Sequence, residues 1–244
     1  MNKEKKKLFL VDGHSFCYRA FYAIRELSTS SGMPTNAIYG VINMLHKLVK
    51  EYTPDMMAVV FDLKGPTVRH EKYKEYKIQR KPMPAELAAQ LSGIKEVIST
   101  HNIPIYELQG FEADDIIATL ARKAVGKGLD VVIVTGDKDA FQLVGDSIKV
   151  LRPQLKDNKM YDQDEVRYKY GVAPADMIEL MALMGDASDN IPGVKGVGQV
   201  TARKLIEKYG TVERIYRNID KITPAALKEK LLEGKDKASL SREL

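Results

Sequence analysis

"KLFLVDG", residues 7–13, decides how the chain must be read. The run is apolar, too short for a helix, and closed by an aspartate and a glycine. Such a segment reads as a buried strand. The same form recurs in "MMAVVFD" (56–62), which ends at Asp62, and in "LDVVIVTGDKD" (129–139), which ends at Asp137 and Asp139. Amphipathic helical segments separate them. "PTNAIYGVINMLHKLVKEY" (34–52) sets Ile38, Val41, Ile42, Leu45, Leu48 and Val49 on one face, and "PAELAAQLSGIKEVISTHN" (84–102) does so with Leu87, Leu91, Ile94 and Val97. Strands alternating with helices predict an α/β fold with a mostly parallel central sheet and right-handed crossovers. "IPIYEL" (103–108) and "SIKVLR" (147–152) are further strand candidates. Ligands of such sheets bind beyond the carboxyl ends of the strands, the edge to which Asp12, Asp62, Asp137 and Asp139 are delivered.

After about residue 160 the strand signals stop. "YDQDEVRYKYG", "PADMIELMALMG" and "VTARKLIEKYG" read as helices closed by Gly171, Gly185 and Gly210. The expected division is an α/β core over 1–160 and a helical subdomain over 161–244. The last residues, "EGKDKASLSREL", read as helical, and Lys3–Lys7 as a short basic start.

The totals bound the function. The 244 residues, 44% hydrophobic and 29% charged, are enough for one sizeable core or a core with a small module. No apolar run approaches the roughly 20 residues of a membrane span, and the start lacks a signal-peptide core. The single cysteine, Cys17, excludes an internal disulfide and is expected to pack rather than react. A cytoplasmic setting follows as the expectation.

Five more acids join the strand-end aspartates: Glu112, Asp114 and Asp115 in "FEADDII", and Asp186 and Asp189 in "GDASDN". Nine converging carboxylates repel one another unless cations intervene. Mg²⁺ and Mn²⁺ favour oxygen ligands, and paired divalent ions are a standard arrangement for phosphoester hydrolysis. Each acid also has an ordinary reading. Asp follows strands in turns, Glu112–Asp115 complement a helix N-terminus, and Asp186 and Asp189 suit a turn and a cap. The four histidines, His14, His46, His70 and His101, are scattered without metal-ligand spacing and read as surface or structural.

"KGPTVRHEKYKEYKIQRKPMP" (64–84) is basic and interleaved with tyrosines. If it is helical, Arg69, Tyr73, Tyr76 and Arg80 share a face suited to single-stranded nucleic acid. The alternative is a solvated helix paired by Glu71 and Glu75. "IPGVKGVGQVTARKLIEKYG" (191–210) is neither a P-loop nor a dinucleotide fingerprint, since Thr201 stands where the third glycine belongs. It reads as a glycine hairpin entering a helix N-terminus, with Lys195, Arg203 and Lys204 adding charge for phosphate, or as a tight helix connection. The net charge is +5; setting nine of the 33 acids aside leaves 24 against 38 basic residues, about +14 for the rest of the molecule.

Together "LVDGHSFCYRAFYA", "VVFDLKGPTVRHEKYKEYKIQR", "GFEADDIIATLA", "TGDKDAFQLV" and "LMGDASDNIPGVKGVGQVTARKLI" resemble the 5′ nuclease (flap endonuclease) family. The nearest likeness is the 5′→3′ exonuclease domain of bacterial DNA polymerase I. The motifs run in the family's order from residue 8 to about 210. The resemblance implies a PIN-like or resolvase-like sheet, a helical arch over about 64–84 and a helix-hairpin-helix over about 186–210. It implies a monomeric, Mg²⁺-dependent nuclease acting on 5′ ends or flaps of nicked or branched DNA, in primer removal and repair, with Mn²⁺ as a substitute. It assigns Asp12, Asp62, Glu112, Asp114 and Asp115 to a first metal, and Asp137, Asp139, Asp186 and Asp189 to a second. Arg19, Lys77 and Arg80 would act on the scissile phosphate beside Asp115. Arg69, Tyr73 and Tyr76 would meet the 5′ strand. Gly193, Lys195, Gly196, Gly198, Thr201, Arg203 and Lys204 would grip duplex, with K⁺ at the hairpin. The family domain usually continues several tens of residues further, and in polymerase I a polymerase domain follows. A junction-binding module without catalysis and a metal-dependent ribonuclease are the alternatives.

Overall fold

A computed structural model describes residues 5–154 and 157–244. Lys3 and Glu4 of the basic start lie outside the described residues. In chain order the elements are β1 (Lys7–Asp12), α1 (Gly13–Ala23), α2 (Asn36–Tyr52), β2 (Met56–Val60), α3 (Val68–Lys72), α4 (Ala85–Thr100), β3 (Ile105–Tyr106), α5 (Ala113–Gly126), β4 (Asp130–Val134), β5 (Ile148–Arg152), β6 (Lys159–Tyr161), α6 (Gln163–Tyr170), α7 (Met177–Met184), α8 (Gln199–Tyr209), α9 (Val212–Arg217), α10 (Ala225–Glu233) and α11 (Lys235–Glu243). The chain forms two compact units. The first takes Met1–Gly65, Pro82–Ala140 and Val144–Asp162; the second takes Pro66–Lys81, Phe141–Leu143 and Gln163–Leu244.

The first unit is built on a six-stranded sheet of order β3-β2-β1-β4-β5-β6. The first five strands are parallel, and β6 closes one edge antiparallel to β5. The expected α/β sheet is therefore present, with two local departures. "IPIYEL" contributes only Ile105 and Tyr106 as strand, and β6 comes from "KMY", too short and mixed to announce itself. Phe9, Val11, Val59 and Phe61 of the β1 and β2 segments pack with Val41 and Leu45 of α2 and Leu87, Ile94 and Ile98 of α4 in one buried cluster.

Two devices fix the helices on this sheet. Gly40 of α2 lies where a Cβ would come within 2.7 Å of the Ala20 Cβ in α1, so only glycine allows that approach. Gln90 is fully buried; its Oε1 accepts from Ala37 N at 2.8 Å and its Nε2 donates to Asn36 Oδ1 at 2.9 Å. This covers an otherwise orphaned N–H at the start of α2 and ties α2 to α4.

In the second unit, α7 and α8 flank a hairpin, and α11 packs on α7. The Arg242 guanidinium donates to Glu179 Oε1 at 2.8 Å, while Glu179 Oε2 accepts from Val212 N at 2.8 Å. That pairing explains a buried glutamate in the apolar α7 and raises the Arg242 pKa. Gly171, Gly185 and Gly210 all take positive φ, the helix-ending role expected of them.

Candidate metal centre and nucleic-acid interface

The acids of the first unit sit where β1, β2 and β4 end. Asp12 terminates β1 and caps α1: its Oδ1 accepts from Ser15 N at 2.9 Å, and its Oδ2 accepts from Thr135 Oγ1 at 2.8 Å. β1 lies between β2 and β4, so Asp12 occupies the point where the strand order reverses. Gly13 is required beside it, because a Cβ there would meet the Phe61 ring at 2.5 Å.

Asp62 follows β2. Its Oδ1 accepts from Ala113 N at 2.7 Å, at the start of α5, and its Oδ2 lies 3.0 Å from His14 Nδ1. Beyond β4, Thr135 Oγ1 accepts from Asp137 N, and Asp137 Oδ1 accepts from Asp139 N, each at 3.0 Å.

Glu112 and Asp115 form a reciprocal capping box on α5: the Glu112 carboxylate accepts from Asp115 N, and Asp115 Oδ2 accepts from Glu112 N at 3.0 Å. Local helix chemistry thus employs two of the three crowded acids. The box has no use for Asp114.

The electrostatics of this edge are unfavourable to ionised Asp12. Burial raises the Asp12 pKa above the ordinary carboxylate range, and the charges of Asp62 and Asp137 raise it further, against the Ser15 and Thr135 hydrogen bonds that lower it. Apart from His14 Nδ1 beside Asp62, the candidate ligands named on this edge are carboxylates, whose oxygens hard divalent cations take. The residues present therefore fit a cation such as Mg²⁺ or Mn²⁺.

Arg19, on α1, lines a cavity of about 160 Å³ with Phe16, Met44, Lys47, Gln154 and Asn158. Burial and the nearby Arg152 lower its pKa. Two neighbouring guanidinium groups suit an anionic ligand.

The second unit places the remaining candidates. Asp186 and Asp189 bring carboxylate oxygens within 4.8 Å of each other. Asp186 Oδ1 accepts from Ser188 N at 2.8 Å and from Ser188 Oγ at 2.7 Å. Asp189 is buried; its Oδ1 accepts from Arg80 Nη2 at 2.6 Å, and Lys77 Nζ stands 3.6 Å from its Oδ2.

The arch segment departs from the helical expectation. Only Val68–Lys72 is helix; the chain breaks at Tyr73 and continues in turns. Arg69, Tyr73, Tyr76 and Arg80 therefore do not share one helical face. Arg69 Nε donates to Leu244 O at 2.6 Å, and Tyr73 Oη donates to Glu75 at 3.0 Å. Tyr76 is only 4% exposed; it packs edge-on to His70 and points its hydroxyl at Asp189 Oδ2, 3.5 Å away. Lys77, at φ +55°, is the residue that turns the chain.

The glycines of the 186–210 segment make tight turns, which both the glycine-hairpin reading and the tight-connection reading require. A Cβ on Gly193 would fall 2.3 Å from Gly185 N, and Gly193 N donates to Ser241 Oγ at 2.9 Å. Lys195, Gly196, Gly198 and Lys204 are exposed, Thr201 and Arg203 partly so, and Gly198 precedes the N-terminus of α8.

Sequence reasoning gave no site role to His14, which it read as surface or structural, and missed Thr135 and Ser15, which carry the hydrogen bonds behind the acids. "DGH" directly after a strand was the available signal for His14. Thr135 gave none, because its role depends on β4 lying beside β1.

The family description "5′-3′ exonuclease, N-terminal resolvase-like domain" matches residues 7–171, and "5′-3′ exonuclease, C-terminal SAM fold" matches residues 172–244. The chain belongs to the 5′-3′ exonuclease family. Among curated relatives of this family member, a 5′-3′ exonuclease of Aquifex aeolicus is 44% identical over 93% of this chain and 78% of that protein. DNA polymerase I of Caldicellulosiruptor bescii is 46% identical over 98% of this chain but 28% of that protein, and that of Bacillus subtilis is 45% identical over 99% and 28%. The exonuclease-family chain thus spans about a quarter of the polymerase I relatives it matches. Its fold also resembles the zinc-bound T5 5′-exonuclease, with TM-score 0.78 at 23% identity over 97% of this chain and 88% of that one. The catalytic core of Rad2 in complex with DNA has TM-score 0.60 at 22% identity, over 94% and 72%.

Proposed function

We propose that this chain is a divalent-metal-dependent, structure-selective 5′→3′ nuclease that hydrolyses DNA phosphodiesters at 5′ ends and flaps, in primer removal and repair. The observation that carries the reading is Asp12, a buried carboxylate at the sheet's switch point, pushed further from ionisation by Asp62 and Asp137. A bound divalent cation supplies charge neutralisation and a more acidic water at such a site.

The chain's own residues do the rest. Ser15 and Thr135 fix the Asp12 carboxylate from behind. The α5 N-terminus, through Ala113 N, aims Asp62, and the capping box holds Glu112 and Asp115 rigid. Arg19 offers a guanidinium to a phosphate, and Lys77 and Arg80 hold Asp189 until a phosphate competes for them or a metal cation competes for the carboxylate. The two-cation form of the proposal takes in Asp137, Asp139, Asp186 and Asp189, as the resemblance implies. The hairpin over 186–210 grips duplex backbone through exposed N–H groups, Lys195 and Lys204, with K⁺ as its proposed companion. A polymerase domain in the same polypeptide and a cytoplasmic setting belong to the same proposal, as does the functional division near residue 160.

Asp114→Asn tests it more cleanly than Asp115→Asn, because Asp115 also caps α5. With Mg²⁺ and a labelled 5′-flap duplex, cleavage by Asp114→Asn should fall about 100-fold or more, while flap binding in Ca²⁺ stays near that of the parent. Flap binding by the parent with no cleavage at any Mg²⁺ or Mn²⁺ concentration would leave a junction-binding module instead. Preference for an RNA substrate would leave a ribonuclease.

A further inference from the structure

The sheet of the first unit has a second edge, at the amino ends of its strands, which the nuclease reading leaves unused. An open depression there is lined by His46, Lys50, Asp55, Met56, His101 and Ile103. Met56 begins β2, whereas Asp62 follows its other end. A five-residue strand separates the two edges by about 17 Å.

Within the depression two imidazoles face each other. His46 lies on α2, and His101 directly follows α4. Their Nε2 atoms are 3.2 Å apart and their ring centroids 5.4 Å apart. His101 Nδ1 lies 2.8 Å from Val97 O, a carbonyl, so this nitrogen carries the proton and donates. In the neutral ring, Nε2 of His101 is then a lone pair aimed at His46. A single N–H···N bond between exposed rings competes with water and contributes little.

We propose that His46 and His101 form a two-histidine site for a borderline divalent cation of the Zn²⁺ class, distinct from the acidic edge. Three observations carry it. First, a tetrahedral ion with Zn–N near 2.0–2.1 Å places two ligand nitrogens roughly 3.3–3.4 Å apart, close to the spacing found. Second, the carbonyl behind His101 is the support that orients metal-binding imidazoles and fixes their tautomer. Third, imidazole pairs select Zn²⁺, Ni²⁺ or Cu²⁺ over the Mg²⁺ that suits carboxylates. Binding moves the His46 proton from Nε2 to Nδ1, so neutral rings release no proton, and water completes the coordination. The ion would pin the C-terminal half of α2 to the end of α4. Lys50, in the same depression, opposes it and limits its affinity.

The test uses the whole chain in excess Mg²⁺, which engages the acids. Substoichiometric Ni²⁺ should broaden the imidazole NMR signals of His46 and His101 and leave that of His70 sharp. Calorimetric titration with Zn²⁺ should show binding that weakens at least 10-fold in both His46→Gln and His101→Gln. Flap cleavage in Mg²⁺ should not change in either variant. Broadening confined to His14, which reports on the Asp62 edge, overturns the proposal, as does unchanged Zn²⁺ binding in both variants. The broadening experiment uses the unsubstituted chain, so a folding defect in a variant does not blunt it.

Discussion

At the scale of single residues, Asp12 shows the tension between folding and chemistry most clearly. Its pKa is raised in the folded state, so the folded protein holds a proton that the unfolded chain has already lost. Across the window from the ordinary carboxylate range up to that raised value, stability falls as pH rises. Asp12→Asn should therefore stabilise the protein in EDTA at pH 7, read as a higher urea midpoint than that of the parent. The gain should shrink or reverse in saturating Mg²⁺, and destabilisation in EDTA would contradict the account. Tyr76 is a second case. A buried ring offers no face to a base, so Tyr76→Ala should cost about 3–5 kcal/mol of stability, seen in thermal unfolding. Tyr76→Phe, which keeps the buried ring, should retain most of that stability and near-parental flap cleavage. Cys17 is 1% exposed, and burial pushes its thiol to about 12. Iodoacetamide should leave it unmodified until the protein unfolds. The acids themselves were legible in the sequence because three strands end in aspartate. The double service of Glu112 and Asp115 was legible too, in the spacing of a capping box, but the dipole reading obscured it. For His14 the sequence offers only its place in "DGH" after a strand, because its partner Asp62 is 48 residues away.

At the scale of elements, the hairpin joining α7 and α8 is the most constrained piece. Gly193 has φ +55° and backbone of Gly185 within Cβ reach, so Gly193→Ala is strained twice. It should lower stability by at least about 2 kcal/mol and weaken duplex binding. Gly198→Ala, with open space at its Cβ and extended backbone, should cost well under half as much. Thermal unfolding and a duplex-binding titration separate the two. The long helices and the three aspartate-ended strands were readable because their periodicity or composition is strong. The arch was not. Its basic and aromatic residues allow a helical face, yet Tyr73 meets Glu75, Tyr76 meets His70 and Arg80 meets the distant Asp189 instead, and these contacts override the helical pattern after Lys72. β6 escaped detection for a different reason: three residues carry too little alternation to distinguish strand from loop, and for the same reason the strand expected in "IPIYEL" shrinks to Ile105 and Tyr106.

At the scale of the molecule, charge is the dominant variable. A net +5 hides nine acids proposed as a cation-loaded set, and without cations those acids repel the phosphates that the basic residues attract. Flap affinity should therefore rise when Ca²⁺ replaces EDTA at constant ionic strength, and should fall steeply as KCl is raised, as filter binding can measure. Equal affinity in EDTA and Ca²⁺ would separate the acids from the DNA path. The sheet of the first unit has one more consequence. Its two borders are β3, with two residues, and β6, with three, the latter beginning at Lys159. A stray strand from another polypeptide finds almost no unpaired backbone to extend. The parallel interior, which is slow to assemble and sticky while incomplete, is thus sealed once folded, and aggregation should be confined to refolding rather than to the native protein in storage.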